Sequence, residues 1–170
     1  MKTAIPSTTD MSVLVFGLSD RTYAIPISYV AEIVPMAEIS QVPGSPNFLS
    51  GFLNVAGQLI GVVSLRRLFG LPQREPHLYS PLVLLNTLPQ PIALEVDSGL
   101  QIARISSDEM MQLDEASSVN NCAFAVVRID GSSVVVLSVD QLLLEQERKR
   151  VAELAHLASQ RLEHMGLVTA

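Results

Sequence analysis

With 170 residues, 48% of them hydrophobic and 16% charged, the chain has material for one domain or two small units sharing a core. It is too apolar to be disordered over most of its length. A net charge of −6 and eleven scattered basic residues exclude the dense cationic surface that nucleic acid requires, and without tryptophan there is little on which single strands could stack.

Residues 1–11 read as a flexible lead-in, and MKTAIPSTTD has no continuous apolar run of the kind a secretory signal carries. Ser12–Leu18 and Thr22–Pro26 are β-branched or aromatic runs joined at Ser19-Asp20-Arg21, a hairpin signal. Ile27, Val30, Ile33 and Val34 recur at helical spacing, which predicts a helix of about two turns before Pro35. Ile39–Leu65 is uncharged for long enough to suggest a membrane span, but its prolines, glycines and amides argue against one. Instead it reads as a proline-bounded turn, a helical turn at Asn47–Ser50, and strands Gly51–Val55 and Gln58–Val63 joined tightly at Ala56-Gly57. Ser64 then caps a short helix, Leu65–Phe69, that Gly70 stops and Pro72 keeps from resuming.

Residues 72–80 (PQREPHLYS) read as an exposed connector between two halves. Strands follow at Pro81–Asn86, Ile92–Val96 and Leu100–Ile105, with a short helix predicted at Ser107–Leu113 in a polar stretch. Cys122–Ile129 and Ser133–Leu137 flank Asp130-Gly131, the strongest hairpin signal in the chain. Ser138-Val-Asp-Gln141 fits a capping box opening one long terminal helix. Its apolar stripe is Leu144, Val151, Leu154, Ala155, Ala158, Leu162 and Met165, with Glu145 and Lys149 as a favourable i,i+4 pair. Nine or ten short strands with frequent turns and no βαβ alternation predict small barrels.

Catalytic and metal signals are sparse. His156 and His164 lie two helical turns apart, too far for an i,i+4 metal pair, and His77 sits in the connector. Glu32, Glu38, Glu95 and Asp97 are carboxylates near apolar segments, for which surface charge is the default reading. With Cys122 as the only cysteine, no internal disulfide or cysteine cluster can form, and at the start of an apolar strand it reads as a buried structural thiol. No phosphate loop or Gly-x-Ser-x-Gly occurs, so neither an enzyme nor a cofactor is expected. Met110-Met111 reads first as packing and second as an adaptable docking pair.

Val30-Ala-Glu-Ile33, Phe48-Leu-Ser-Gly51, Asn54-Val-Ala-Gly57 and Val62-Val-Ser-Leu65-Arg66 together resemble the CheW-like domain of bacterial chemosensory adaptors. That family typically reads V-x-E-I, then P-x-F-I-x-G-x-x-N-L-R-G-x-x-x-P-V-(I/V)-D-L-R, and Val30 to Arg66 fits without a gap. Weaker similarity continues through Leu94–Asp97 and through Val136–Asp140 with Leu143-Leu144, covering roughly Ser12 to Leu144.

The resemblance implies a mainly β fold of two SH3-like five-stranded barrels with a long C-terminal helix. On that reading residues 12–140 form the CheW-like domain as two intertwined β subdomains, and 141–170 form the helix and tail. It implies a non-catalytic cytoplasmic adaptor, stationed at membrane-associated arrays, that couples chemoreceptor tips to a CheA-type histidine kinase. Receptor tips would dock at a groove matched here by Val30, Glu32, Gly51, Asn54 and Ala56. The departures are Ala56 for the family arginine, Gly61 for its proline and Ser64 for its aspartate, which mark a divergent member suited to a non-flagellar output such as pilus-driven motility. The alternative is a scaffold that has lost receptor docking and self-associates through its last helix. No nucleic acid, metal or membrane insertion is expected.

Overall fold

The computed structural model describes residues 10–35, 37–73, 80–87, 89–113 and 122–164. His77, Met165, most of the lead-in and connector, and the end of the polar stretch at 114–121 fall outside them. The chain divides into two compact units, residues 1–29 with 97–142 and residues 30–96 with 143–170. The chain passes between units at Tyr29/Val30, Val96/Asp97 and Leu142/Leu143.

The first unit holds a six-stranded sheet built from β1 (Asp10–Leu18), β2 (Arg21–Pro26), β8 (Ser98–Ser106), β9 (Met111–Gln112), β10 (Ala123–Ile129) and β11 (Ser132–Leu137). Its order is β8-β1-β2-β11-β10-β9, antiparallel except where β11 runs parallel to β2. Alternation places Val13, Val15, Ala24, Ile105, Ala125, Val127, Val134 and Val136 on one face as a core of mostly β-branched residues. Met110 packs against that core, while Met111 on the edge strand is exposed.

The second unit holds β3 (Val30–Pro35), β4 (Leu49–Val55), β5 (Gln58–Ser64), β6 (Pro81–Leu85) and β7 (Ile92–Glu95) in the order β3-β6-β7-β5-β4. Here β5 runs parallel to β7 and the other pairs are antiparallel. Its core is Leu53, Ile60, Val62, Leu82, Leu84 and Ala93.

The two units share one topology. Matching β8, β1, β2, β11 and β10 with β3, β6, β7, β5 and β4 reproduces strand order and every parallel or antiparallel relation. The chain order within the first unit is a circular permutation of that in the second. This is why the sequence shows a common rhythm and no linear repeat. The fold is the SH3-like pair expected, with the two-residue β9 making the first unit six-stranded.

Three local expectations are corrected. Residues 27–35 are a 3-10 turn, Ile27–Tyr29, followed by β3, not a helix. Val30, Ile33 and Val34 are β-branched and suit an edge strand, which the helical spacing concealed. Ser107–Leu113 is a 3-10 turn, Ser107–Glu109, followed by β9. The capping box at Ser138 is also absent: Ser138 makes no side-chain cap, and only a 3-10 turn, Val139–Gln141, follows it.

The terminal helix α2 starts later, at Glu145, and is described to His164. Glu147 accepts the Leu144 N–H at 2.8 Å, which satisfies one of the donors a helix N-terminus leaves unpaired. Val151, Leu154, Ala155 and Ala158 are buried within the second unit, and Glu145 meets Lys149 at 3.4 Å. Leu144 is outside the stripe and exposed. The close fit comes from Gly61 on β5, where a Cβ would lie 2.6 Å from Val151 Cγ1. Among the described residues, no helix is long and apolar enough to cross a membrane.

Each passage between units is fastened inside the first. The Tyr29 hydroxyl donates to Asp140 at 2.8 Å, tying two of them together across 111 residues. Being the donor in that bond raises the Tyr29 pKa, with burial a lesser cause. At the third, the Asp97 carboxylate accepts the Ser19 N–H at 2.7 Å while its own N–H donates to Gly17. Asp97 is thus a turn acceptor holding Ser19 at a φ of 60°.

Cys122 is fully buried, and desolvation pushes its thiol from 9.0 up to about 11. The fold therefore favours the protonated thiol. That stabilisation is whole below pH 9.0 and is lost as pH rises through about 11. At pH 8 a disulfide-exchange reagent is expected to label Cys122 at least about a hundredfold more slowly than after unfolding, since reaction needs an exposed thiolate. Equal rates in the two states contradict this.

Candidate functional site

All five positions picked out by the resemblance fall in the second unit. Val30 and Glu32 lie on β3, one edge of its sheet, while Gly51 and Asn54 lie on β4, the other edge. Ala56 stands at the tip of the β4–β5 hairpin.

The β3 edge is irregular and open. Val30 pairs with Leu85 and Glu32 with Leu84, so the register slips around Ala31 and the strand bends there. Val30 is half-buried, and Glu32 is exposed beside Ile33, which is 42% accessible. Ile33 was not among the expected positions. It puts an exposed apolar side chain beside a carboxylate on this edge. Its signal in the sequence was an isoleucine directly after the matched glutamate.

Gly51 is buried and sits where β4 slips register against β5. Ser40 forms a two-bond bridge to Phe52, with N–O distances of 2.9 and 2.8 Å, drawing the chain after β3 along β4. A Cβ on Gly51 would lie 2.5 Å from Ile39 Cγ2 and 2.6 Å from the Ser40 carbonyl oxygen, and its φ is +152°. Intramolecular packing thus accounts for glycine here.

The hairpin tip has φ values of 51° at Ala56 and 87° at Gly57, the two positive angles of a type I′ turn. Asn54 Oδ1 accepts the Gly57 N–H at 2.9 Å. Asn54, Ala56 and Gly57 are all exposed. Glycine takes this backbone freely, whereas alanine bears a steric cost of roughly 1–2 kcal/mol. Ala56→Gly is accordingly expected to stabilise the second unit by about 0.5–1 kcal/mol in denaturant unfolding, after its own entropic cost. No gain would contradict the strained turn.

After β5, Ser64 Oγ accepts the Arg67 N–H at 3.4 Å to cap α1 (Leu65–Leu68). Its other end closes with Leu71 N–H on Arg66 and Gly70 N–H on Arg67, at a Gly70 φ of 68°. Arg66 donates to the Pro72 carbonyl at 2.7 Å, and Arg67 to the Asn47 carbonyl and the Gln73 side chain. Both arginines fasten loops. The Asn47–Ser50 stretch is one turn closed by Leu49 N–H on Pro46, and β4 starts at Leu49.

Elsewhere, His156 and His164 are exposed on α2, and among the described residues no cluster of three His, Cys, Asp or Glu could hold a metal. What these positions offer is an exposed strand edge, an exposed turn and one carboxylate.

The comparisons agree with the motif. The model of the CheW-like domain matches residues 12–147. A chemotaxis protein CheW from Thermotoga maritima is 23% identical over 145 residues, covering 85% of this chain and 95% of the relative. One from Helicobacter pylori is 27% identical over 129 residues, covering 75% and 78%. The crystal structure of the scaffolding protein TtCheW from Thermoanaerobacter tengcongensis shares the fold at a TM-score of 0.75 and 21% identity, covering 82% of this chain and 96% of that one. The match spans both β units, and the chain belongs to the CheW-like domain family.

Proposed function

We propose that this protein is a non-catalytic chemosensory adaptor that couples chemoreceptor tips to a CheA-type histidine kinase in the cytoplasm. The observation that carries the reading is the family match over residues 12–147, which includes the β4–β5 hairpin and the capped α1 that follows it. Relatives matched over most of their length bear the name chemotaxis protein CheW, and a solved structure of the same fold is called a scaffolding protein. The β3 edge and the hairpin tip supply the receptor-facing surface on this reading, with Val30, Glu32, Ile33 and Ala56 as its contacts. Capture of a purified receptor tip and of the kinase regulatory domain tests it, and failure to bind either one rejects it.

A second reading, a scaffold that has lost receptor docking, is favoured by one observation: the exposed tip carries Ala56 and no charge. Ala56→Arg separates the two. Both residues carry a Cβ at the same positive φ, so unfolding free energy is expected to change by less than about 0.5 kcal/mol. Any change in receptor affinity then reports the side chain. A gain points to a lost site; unchanged or weaker binding points to a surface retuned for an uncharged tip.

A further inference from the structure

We propose that Asn54 is a positioning residue of the hairpin tip, acting on a partner through the backbone of Ala56 and Gly57 and not by touching it. This rests on the adaptor reading above and deepens it.

The two units supply an internal comparison. In the shared topology the β4–β5 hairpin corresponds to the β10–β11 hairpin. Both turns have the same backbone, with φ values of 51° and 87° at Ala56-Gly57 and 50° and 80° at Asp130-Gly131. The first unit places aspartate at the first positive φ, a residue that tolerates that conformation, and Gln101 Nε2 donates to its carboxylate at 3.4 Å. The second unit places alanine there, which has no polar group to offer. Its tip is served instead by Asn54, two residues earlier, whose Oδ1 accepts the Gly57 N–H at 2.9 Å.

Packing does not explain that asparagine. Asn54 is exposed, and Leu53, Ile60 and Val62 are what the hairpin contributes to the unit's core. Gly57 N–H lies in the turn, outside the β4–β5 pairing that ends at Val55 and Gln58. With the Asn54 acceptor in place, the turn keeps a conformation that alanine alone disfavours, and position 56 is free to be chosen for the surface it presents. A non-glycine residue held at positive φ in an exposed tip points to such a role.

The test uses full-length Asn54→Ala and Asn54→Asp, the second of which keeps a carboxylate oxygen as acceptor. Two readouts are taken: amide exchange of Gly57, and affinity for a purified chemoreceptor cytoplasmic hairpin. Asn54→Ala is expected to speed Gly57 exchange about tenfold and weaken receptor binding about fivefold, with Asn54→Asp near wild type in both. Three results overturn the proposal: Gly57 unprotected in the wild type, Asn54→Ala loosening the tip with binding unchanged, or Asn54→Asp losing binding while Gly57 stays protected. A wild type with Gly57 protected that binds no receptor hairpin rejects the adaptor reading, and the proposal with it.

Discussion

Gly51→Ala is expected to cost the second unit about 3 kcal/mol or more, combining steric overlap with a backbone angle that side chains rarely adopt. The new methyl meets the Ser40 carbonyl, and a backbone atom bridged to Phe52 cannot swing away as a long side chain can. For a protein whose whole stability is on the order of 5–15 kcal/mol, that is a large share. The measurement is denaturant unfolding followed by probes in each unit. A variant of unchanged stability that lost only receptor binding would make Gly51 a contact residue and contradict this account. Loss of both together is the expected result, so binding data on Gly51 variants require a stability control.

Leu154→Asp carries the second large effect, about 3–5 kcal/mol, because an unpaired carboxylate would occupy an apolar seat. Leu154 is 3% exposed and lies on the same buried stripe as Val151. The helical stripe could equally have served as a seam between copies of the chain, and the two roles predict opposite outcomes. If α2 covers its own unit, the variant loses stability and its molar mass at low concentration is unchanged. If the stripe joins copies, the fold survives and an assembly dissociates. Burial of Val151, Leu154, Ala155 and Ala158 within the single chain favours the first outcome.

What the residues disclosed followed from how strongly local chemistry is tied to backbone shape. Ala56-Gly57 and Asp130-Gly131 were legible because glycine makes a two-residue turn inexpensive, and both turns stand where expected. Ser64 with Gly70 gave both ends of a helix only four residues long. The missed strands, β3 and β9, are both sheet edges at which short helices had been expected. Edge strands lack a partner on one side and bury little, so β3 shows no inside–outside alternation to read. The capping box at Ser138 failed for a related reason. Its spacing suits a helix start, but Val139, Leu142 and Leu143 are buried, and the chain completes a 3-10 turn before α2 begins.

The candidate site was legible only in part. The family resemblance marked Gly51, Asn54 and Ala56 as one group, but could not separate what holds the hairpin from what a partner meets. The structure separates them: Gly51 is closed over by Ile39 and Ser40, Asn54 bonds to Gly57, and Ala56 is exposed at the tip. Ile33 was missed because an exposed isoleucine and a buried one look alike in sequence.

The central claim is that this chain couples receptor to kinase, and reconstitution tests it most directly. Membranes bearing a chemoreceptor are combined with a CheA-type kinase, with and without this protein, and the rate of kinase phosphorylation is followed as the receptor ligand is added. The adaptor account predicts that receptor control of the kinase appears only when the protein is present. A kinase whose rate and ligand response are the same in its absence and its presence would contradict the account.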